Sequence, residues 1–418
     1  MKIAIPDSSK KILSIFFLRI CGMIFGFLYI AQLTNTLGIE ESGKYFFYVS
    51  IISIFLSISL FGLPTYFEQN LPKFIQLDNK STLLNFLKSS LILSLGICFI
   101  VITVTIIFIQ FKIINLEIIK SIIFYKFLIA IPIMTLVTMF SKIIQIHGKN
   151  IISVLISNFL FSFIFLISVF IFKPKEIDDF VNIFLGNYLF ILMISIFFLP
   201  YKNFIKQNLK SDIYLIAKKS SNFFFIGIVY EYGMQLTTIF LGTAGNNSEI
   251  SAYAICIKIS SILSFALLAV HHFYISKFSA SIDKFEKETM KNLIKKSLIN
   301  LCLLALPIFF FILALRKNLL GFFGEEFIQF DHILIINLFA YFIYSIGGIA
   351  VMYLISARLE KKMLQNSLII FLLASILNYL FIYKYGVVVG AIVFLFSNFF
   401  LTISNSFYVY KHYHLLKY

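Results

Sequence analysis

LTNTLGIEESGKYFFYVSIISI, residues Leu33 to Ile54, closes one long apolar run, turns through a short polar link and opens another. A related stretch, LGTAGNNSEISAYAICIKISSI, returns at Leu241 to Ile262. A shift of 208 residues sets Leu33 on Leu241, Glu41 on Glu249, Tyr45 on Tyr253 and Ile51 on Ile259, with Ser53 and Ile54 on Ser261 and Ile262. Gly43 falls on Ser251, small on small. The period is about half of the 418-residue chain, so the match reads as the trace of two structural repeats.

Working outward from these links, apolar runs of twenty or more residues recur from Ile12 almost to the end. Each is long enough to cross a hydrocarbon core of about 30 Å. Only 13% of residues are charged, 60% are hydrophobic, and the mean hydropathy is +0.96. A soluble domain carries about 25% charged residues. The chain reads as an all-α integral membrane protein with twelve spans: 12–34, 44–66, 83–111, 120–141, 151–172, 180–200, 220–242, 250–274, 297–315, 332–356, 364–383 and 386–410. Six spans fall in residues 1–208 and six in 209–418, two six-helix lobes. The first run is too long and too well integrated for a cleaved signal peptide.

The net charge of +16 is explained by topology rather than by nucleic acid. An even number of spans puts both termini on one side, and 24 of the 35 Lys and Arg lie on that side. Eight lie on the other, and Arg19, Lys126 and Lys258 fall inside spans. Such a bias in short links makes the terminal side cytoplasmic. The links 201–219 and 276–296 are basic and alternate with apolar residues, which suits helices lying along the cytoplasmic interface among anionic lipids.

Pro132 and Pro307 sit mid-span and are expected to kink their helices. Gly22-x-x-x-Gly26 and Gly386-x-x-x-Gly390 allow close helix approach. Cys21, Cys98, Cys256 and Cys302 lie in apolar runs without metal-ligand spacing and read as small packing residues. No nucleotide-binding loop, paired carboxylates or Ser/His/Asp set is present, so neither an enzyme nor an ATP-driven pump is indicated, and no cofactor is expected.

The charges inside the membrane carry the chemistry. A central charge costs about 2.5 to 3.5 kcal/mol on insertion scales, so each needs a reason. Glu231 is the deepest, and its side chain is too short to snorkel. It is either a buried partner of a basic residue or a proton- or sodium-coupling carboxylate. Arg19 and Lys258 lie on spans one and eight, and Lys126 on span four beside Tyr125. Lys126 can snorkel to the interface. Arg19 and Lys258 together give a path of positive charge suited to an anionic cargo, and Arg pairs well with phosphate. His271 and His272, near one end of span eight, read as interfacial.

LTNTLGIEESGKYFFYVSIIS after span one, SLFGLPTYFEQNL at the end of span two and IFLGTAGNNSEISAYAICIKISSIL in the second half resemble O-antigen translocases of the Wzx type. These are polysaccharide-unit flippases within the multidrug/oligosaccharidyl-lipid/polysaccharide exporter superfamily. The resemblance covers essentially the whole chain. It implies two six-helix lobes around a central cavity that opens alternately to either face of a bacterial cytoplasmic membrane. It implies a cargo of a few sugars on undecaprenyl pyrophosphate, as used for lipopolysaccharide or capsule. A polysaccharide polymerase and a chain-length regulator would then be partners. By span and position Arg19 and Lys258 match cavity residues that hold the pyrophosphate or acidic sugars; Lys126 matches by type only. Ion coupling at Glu231 extends the family pattern. The chain departs from it in having few intramembrane acids, and it lacks the thirteenth and fourteenth spans that lipid II flippases carry. A multidrug antiporter of the related efflux family is the alternative, though its cavity should be acidic. A polytopic polymerase or ligase would need a long outer loop, which the short links do not offer.

Overall fold

A computed structural model describes residues 7–67, 80–111, 119, 121–200, 212–283 and 287–415. Eleven helical segments among them are long and apolar enough to cross a membrane. The first of these, Ser14–Leu60, is two spans: the chain breaks at Gly38, at φ 71° and ψ 177°, a conformation that only glycine adopts readily. Twelve spans result, α1 (7–37), α2 (39–60), α3 (Lys80–Gln110), α4 (Ile122–Ile146), α5 (Asn150–Phe172), α6 (Ile177–Phe198), α7 (Ile213–Ala244), α8 (247–283), α9 (Lys287–Ala314), α10 (Asp331–Ser356), α11 (Glu360–Tyr385) and α12 (Val387–Leu415). No strand occurs among the described residues.

The architecture is the all-α membrane fold the sequence predicts. Helix ends differ from the hydropathic ones where a helix continues past its apolar core. Thus α7 starts at Ile213 and α9 at Lys287, several residues before their apolar runs. Residues 276–283 likewise continue α8, so both flanks of the link 276–296 belong to spanning helices. The division at 208/209 and residues 201–211 of the other basic link lie outside the described residues. Both α4 and α9 continue through Pro132 and Pro307. All four cysteines are free; Cys98 and Cys256 are buried and Cys21 and Cys302 half-buried.

The chain forms two compact units, residues 1–37 with 48–231, and residues 38–47 with 232–418. In the first unit α4 is the centre. Its N-cap Ser121 is bound by Tyr48 Oη at 2.7 Å, and Ser141 meets Ser153 of α5 at 2.9 Å. Leu63, Phe67, Leu87, Met139 and Ile143 form its apolar core. α1 packs on α5 through Phe25 against Phe159 and Phe163, and through Tyr29 against Phe161 and Phe165. At Gly22 the two backbones come close: a Cβ there would lie 2.6 Å from the Asn158 carbonyl oxygen.

In the second unit α10 is central and packs against α8, α9 and α12. α11 shows how such a helix is stabilised in lipid. Asn366, Ala374 and Asn378 are buried, while Ile369, Leu372, Leu373, Ile376 and Leu380 are exposed. Lipid tails are as apolar as leucine, so burial of leucine gives no drive; small residues and polar side chains join the helices instead. Asn366 Nδ2 accordingly donates to Asn405 Oδ1 of α12 at 3.2 Å. Two carboxylates cap helix starts far away in sequence. Glu326 accepts the Ile39 N–H of α2 at 3.2 Å, and Glu249 accepts the Val387 N–H of α12 at 2.7 Å.

Candidate functional site

In each unit a cation of an apolar helix lies near an irregular turn. In the first, Arg19 lies on α1 three residues before Gly22, the point of contact with α5. There α5 runs as a π-helix over Leu155–Phe159, a geometry frequent at functional sites. The wide turn carries Ser157 and Asn158, both exposed, with Asn158 Nδ2 on Ser157 Oγ at 2.6 Å. Arg19 is half-buried, its Nε is buried without a hydrogen-bond partner, and no carboxylate pairs with it among the described residues.

In the second unit Lys258 lies eleven residues into α8, about 16 Å from its start at 1.5 Å per residue. Just beyond it α8 tightens to a 3₁₀ turn over Ser261–Leu263. Ser261 Oγ donates to the Lys258 carbonyl at 2.7 Å, and Ser264 Oγ to the Ser261 carbonyl at 2.6 Å. The Lys258 side chain is half-buried and has no carboxylate partner among the described residues.

Lys126 differs. Near the start of α4, its Nζ lies 2.7 Å from both Asp178 oxygens and 3.0 Å from Asn182 Oδ1, which joins α4 to the start of α6. A carboxylate already occupies the place a phosphate would take. Glu231 is half-buried far from either end of α7 and is engaged by its surroundings. The next residue, Tyr232, bonds Ser375 of α11 at 2.9 Å. Arg19, Lys126 and Glu231 belong to the first unit and Lys258 to the second.

Counting formal charges overlooks the neutral polar groups. Asn337 on α10 is fully buried with neither amide atom partnered among the described residues, and Ser260 Oγ on α8 is likewise buried without a partner among them. An asparagine inside a long apolar run is the signal that would have found Asn158 and Asn337.

No family model and no curated protein sequence matches the chain. Solved structures do. A multidrug resistance MATE family transporter of the MOP superfamily, in an inward-facing conformation, is 15% identical, with a TM-score of 0.76 over 95% of both chains. The lipid II flippase MurJ, in an inward closed conformation, is 17% identical, with a TM-score of 0.75 over 97% of this chain and 89% of that one. A MOP superfamily transporter from Pyrococcus furiosus, described as having a binding pocket of reverse polarity that suggests a different function, is 16% identical, with a TM-score of 0.68 over 97% and 96%. At these identities the likeness is one of fold.

Proposed function

We propose that the chain is a flippase for oligosaccharide units carried on undecaprenyl pyrophosphate, working by alternating access in a bacterial cytoplasmic membrane with both termini in the cytoplasm. One observation carries this reading: Arg19 and Lys258 lie within apolar spans with no carboxylate partner among the described residues. An unpaired cation in lipid is costly unless something anionic visits it. The fold is shared with a lipid II flippase and with multidrug transporters, so the sign of the interior charge discriminates. A cation exporter would set acids where this chain sets bases.

In this mechanism Arg19 holds the pyrophosphate bidentately as it enters from the cytoplasmic leaflet, and Ser157 and Asn158 offer hydroxyl and amide groups to the sugars. Lys258 then takes the charge through the second unit. Lys126 would join only by exchanging Asp178 for phosphate. Released outside, the unit would pass to a polymerase. Glu231 would couple transfer to a proton or sodium gradient.

The test is translocation of a labelled lipid-linked oligosaccharide in proteoliposomes, with deletion of the gene in the source cell. Transfer in vesicles, and build-up of cytoplasmic-side units on deletion, are expected. Unchanged surface polysaccharide with no build-up overturns the reading. Hypersensitivity of the deletion strain to cationic drugs instead would favour the antiporter.

A further inference from the structure

The two ends of the second unit differ in the balance of their described charges. At one end Arg316 pairs with Asp331 at 3.2 Å and Lys44 with Glu41, while Lys384 lies 5.1 Å from the Tyr385 ring centroid. At the other, residues 273–296, 353–363 and 408–413 hold nine described Lys and Arg side chains against two described acids, Glu288 and Glu360. None of the nine is in an ion pair among the described residues. Three of them lie against aromatic faces instead. Lys277 sits 3.5 Å from the Phe273 ring centroid, Lys287 5.6 Å from Tyr413 and Lys362 5.7 Å from Tyr408.

The rings belong to a tied structure. Tyr353 of α10 bonds His412 of α12 at 3.0 Å and packs edge-on to Phe278 of α8. Asn300 of α9 donates to the Tyr274 hydroxyl at 2.8 Å. The ends of α8, α9, α10 and α12 are thereby held together, and Lys362 joins α11 to them. A cation over a ring keeps its charge and its N–H donors available on the far side, which one neutralised by a carboxylate does not. Immediately along α11 the exposed surface is aliphatic, at Leu368, Ile369, Leu372 and Leu373. A ligand fitting both surfaces carries a phosphate above an acyl chain.

We infer that this rim is a receptor for anionic phospholipid of the adjoining leaflet, with Lys287 and Lys362 as its phosphate-binding groups and Tyr413 and Tyr408 holding them in place. The inference rests on the membrane orientation proposed above only for which leaflet supplies the lipid; it does not depend on the cargo. It differs from general attraction to a charged surface in being stoichiometric and confined to one end.

The test is native mass spectrometry of the full-length protein in detergent, titrated with dioctanoyl phosphatidylglycerol. Saturable binding is expected, and none for dioctanoyl phosphatidylcholine. Lys287→Gln and Lys362→Gln should each weaken binding about fivefold, the weight of one lysine at an anionic surface, and together about 25-fold. Lys287→Arg with Lys362→Arg should keep it, as should Lys317→Gln at the opposite end. The melting temperature of each variant without lipid reports folding separately. Equal binding by the wild type and the double glutamine variant overturns the proposal, as does equal loss from Lys317→Gln. Displacement by inorganic phosphate at comparable concentration overturns the lipid as its source.

Discussion

Ser42 and Ser251 share a hydrogen bond, Oγ to Oγ at 2.7 Å, between α2 and α8. Ser42 Oγ also lies 2.6 Å from the Gly38 carbonyl oxygen, to which it can donate. Ser251 is the position the 208-residue shift sets on Gly43, so the matching stretches meet within a residue of their own correspondence. Self-complementary contact of this kind needs small residues on both sides. Gly43 supplies the closest approach: a Cβ there would lie 1.9 Å from the Asn247 carbonyl oxygen. Phe47 likewise fills the space beside Gly242.

Gly43→Ala should therefore destabilise the protein by about 1–3 kcal/mol, because the obstructing atom is backbone and α2 must move away from α8. Ser42→Ala, which removes one hydrogen bond, should cost only about 0.6 kcal/mol. Thermal unfolding in detergent checks the ratio. Equal effects would mean that the hydroxyl pair, not the close approach, holds this contact.

The spans were legible because lipid demands a continuous apolar run in each, and hydropathy reads that demand directly. The contact between the two matching stretches left a trace for a related reason, since Gly43 meets the Asn247 backbone and Ser251 is fully buried. What could not be read was which residues answer one another over distance. Asp178 lies 52 residues from Lys126 and is an ordinary first-turn acid in sequence. The π-turn of α5 lies within LISNF, which holds no glycine or proline to mark it. Residues 38–47 open the second helix of the first half yet pack with the second unit, and only the break at Gly38 hints at it. Buried asparagines such as Asn337 carry no formal charge and so leave no mark in a charge pattern, although an amide in lipid must also find partners.

Lys126 and Asp178 give a double-mutant cycle. The side chains are 28% and 41% exposed, so water screens the pair despite its good geometry. A coupling of about 0.5 kcal/mol is expected between Lys126→Met and Asp178→Asn in unfolding measurements. Transport by Lys126→Met should stay close to that of the unmodified protein if the lysine serves α4 and α6 alone. A large loss of transport with little change in melting temperature would instead bring it into the cargo path.

Arg19→Ala and Lys258→Ala should each reduce translocation roughly tenfold or more while the protein still accumulates, the loss expected when a charged hydrogen bond is removed. Arg19→Lys should fall between, keeping the charge but losing the planar fork that grips two phosphate oxygens. Each alanine variant should also be at least as stable as the parent, since a costly intramembrane charge has gone. Higher stability with lower transport is the signature of a binding residue. Normal transport by the double variant would remove both from the mechanism.

Glu231 separates coupling from structure. It lies thirteen residues from the end of α7 at Ala244, about 20 Å of helix, so its side chain cannot reach the bulk phase along the helix. A carboxylate held there either stays with a fixed partner or exchanges a proton or sodium ion as the protein cycles. Glu231→Gln keeps the shape and most hydrogen bonds but fixes the group as neutral. If the residue couples ions, vesicles with the variant should still move cargo down its own gradient but no longer respond to an imposed pH or sodium gradient. Its melting temperature should change little, because the neutral form is one the cycle already visits. If Glu231 is instead the fixed partner of a basic group, the variant leaves that group uncompensated. Its melting temperature should then fall, and the gradient response should survive in whatever protein remains folded. The two outcomes move in opposite directions on two readouts, so one substitution decides between them.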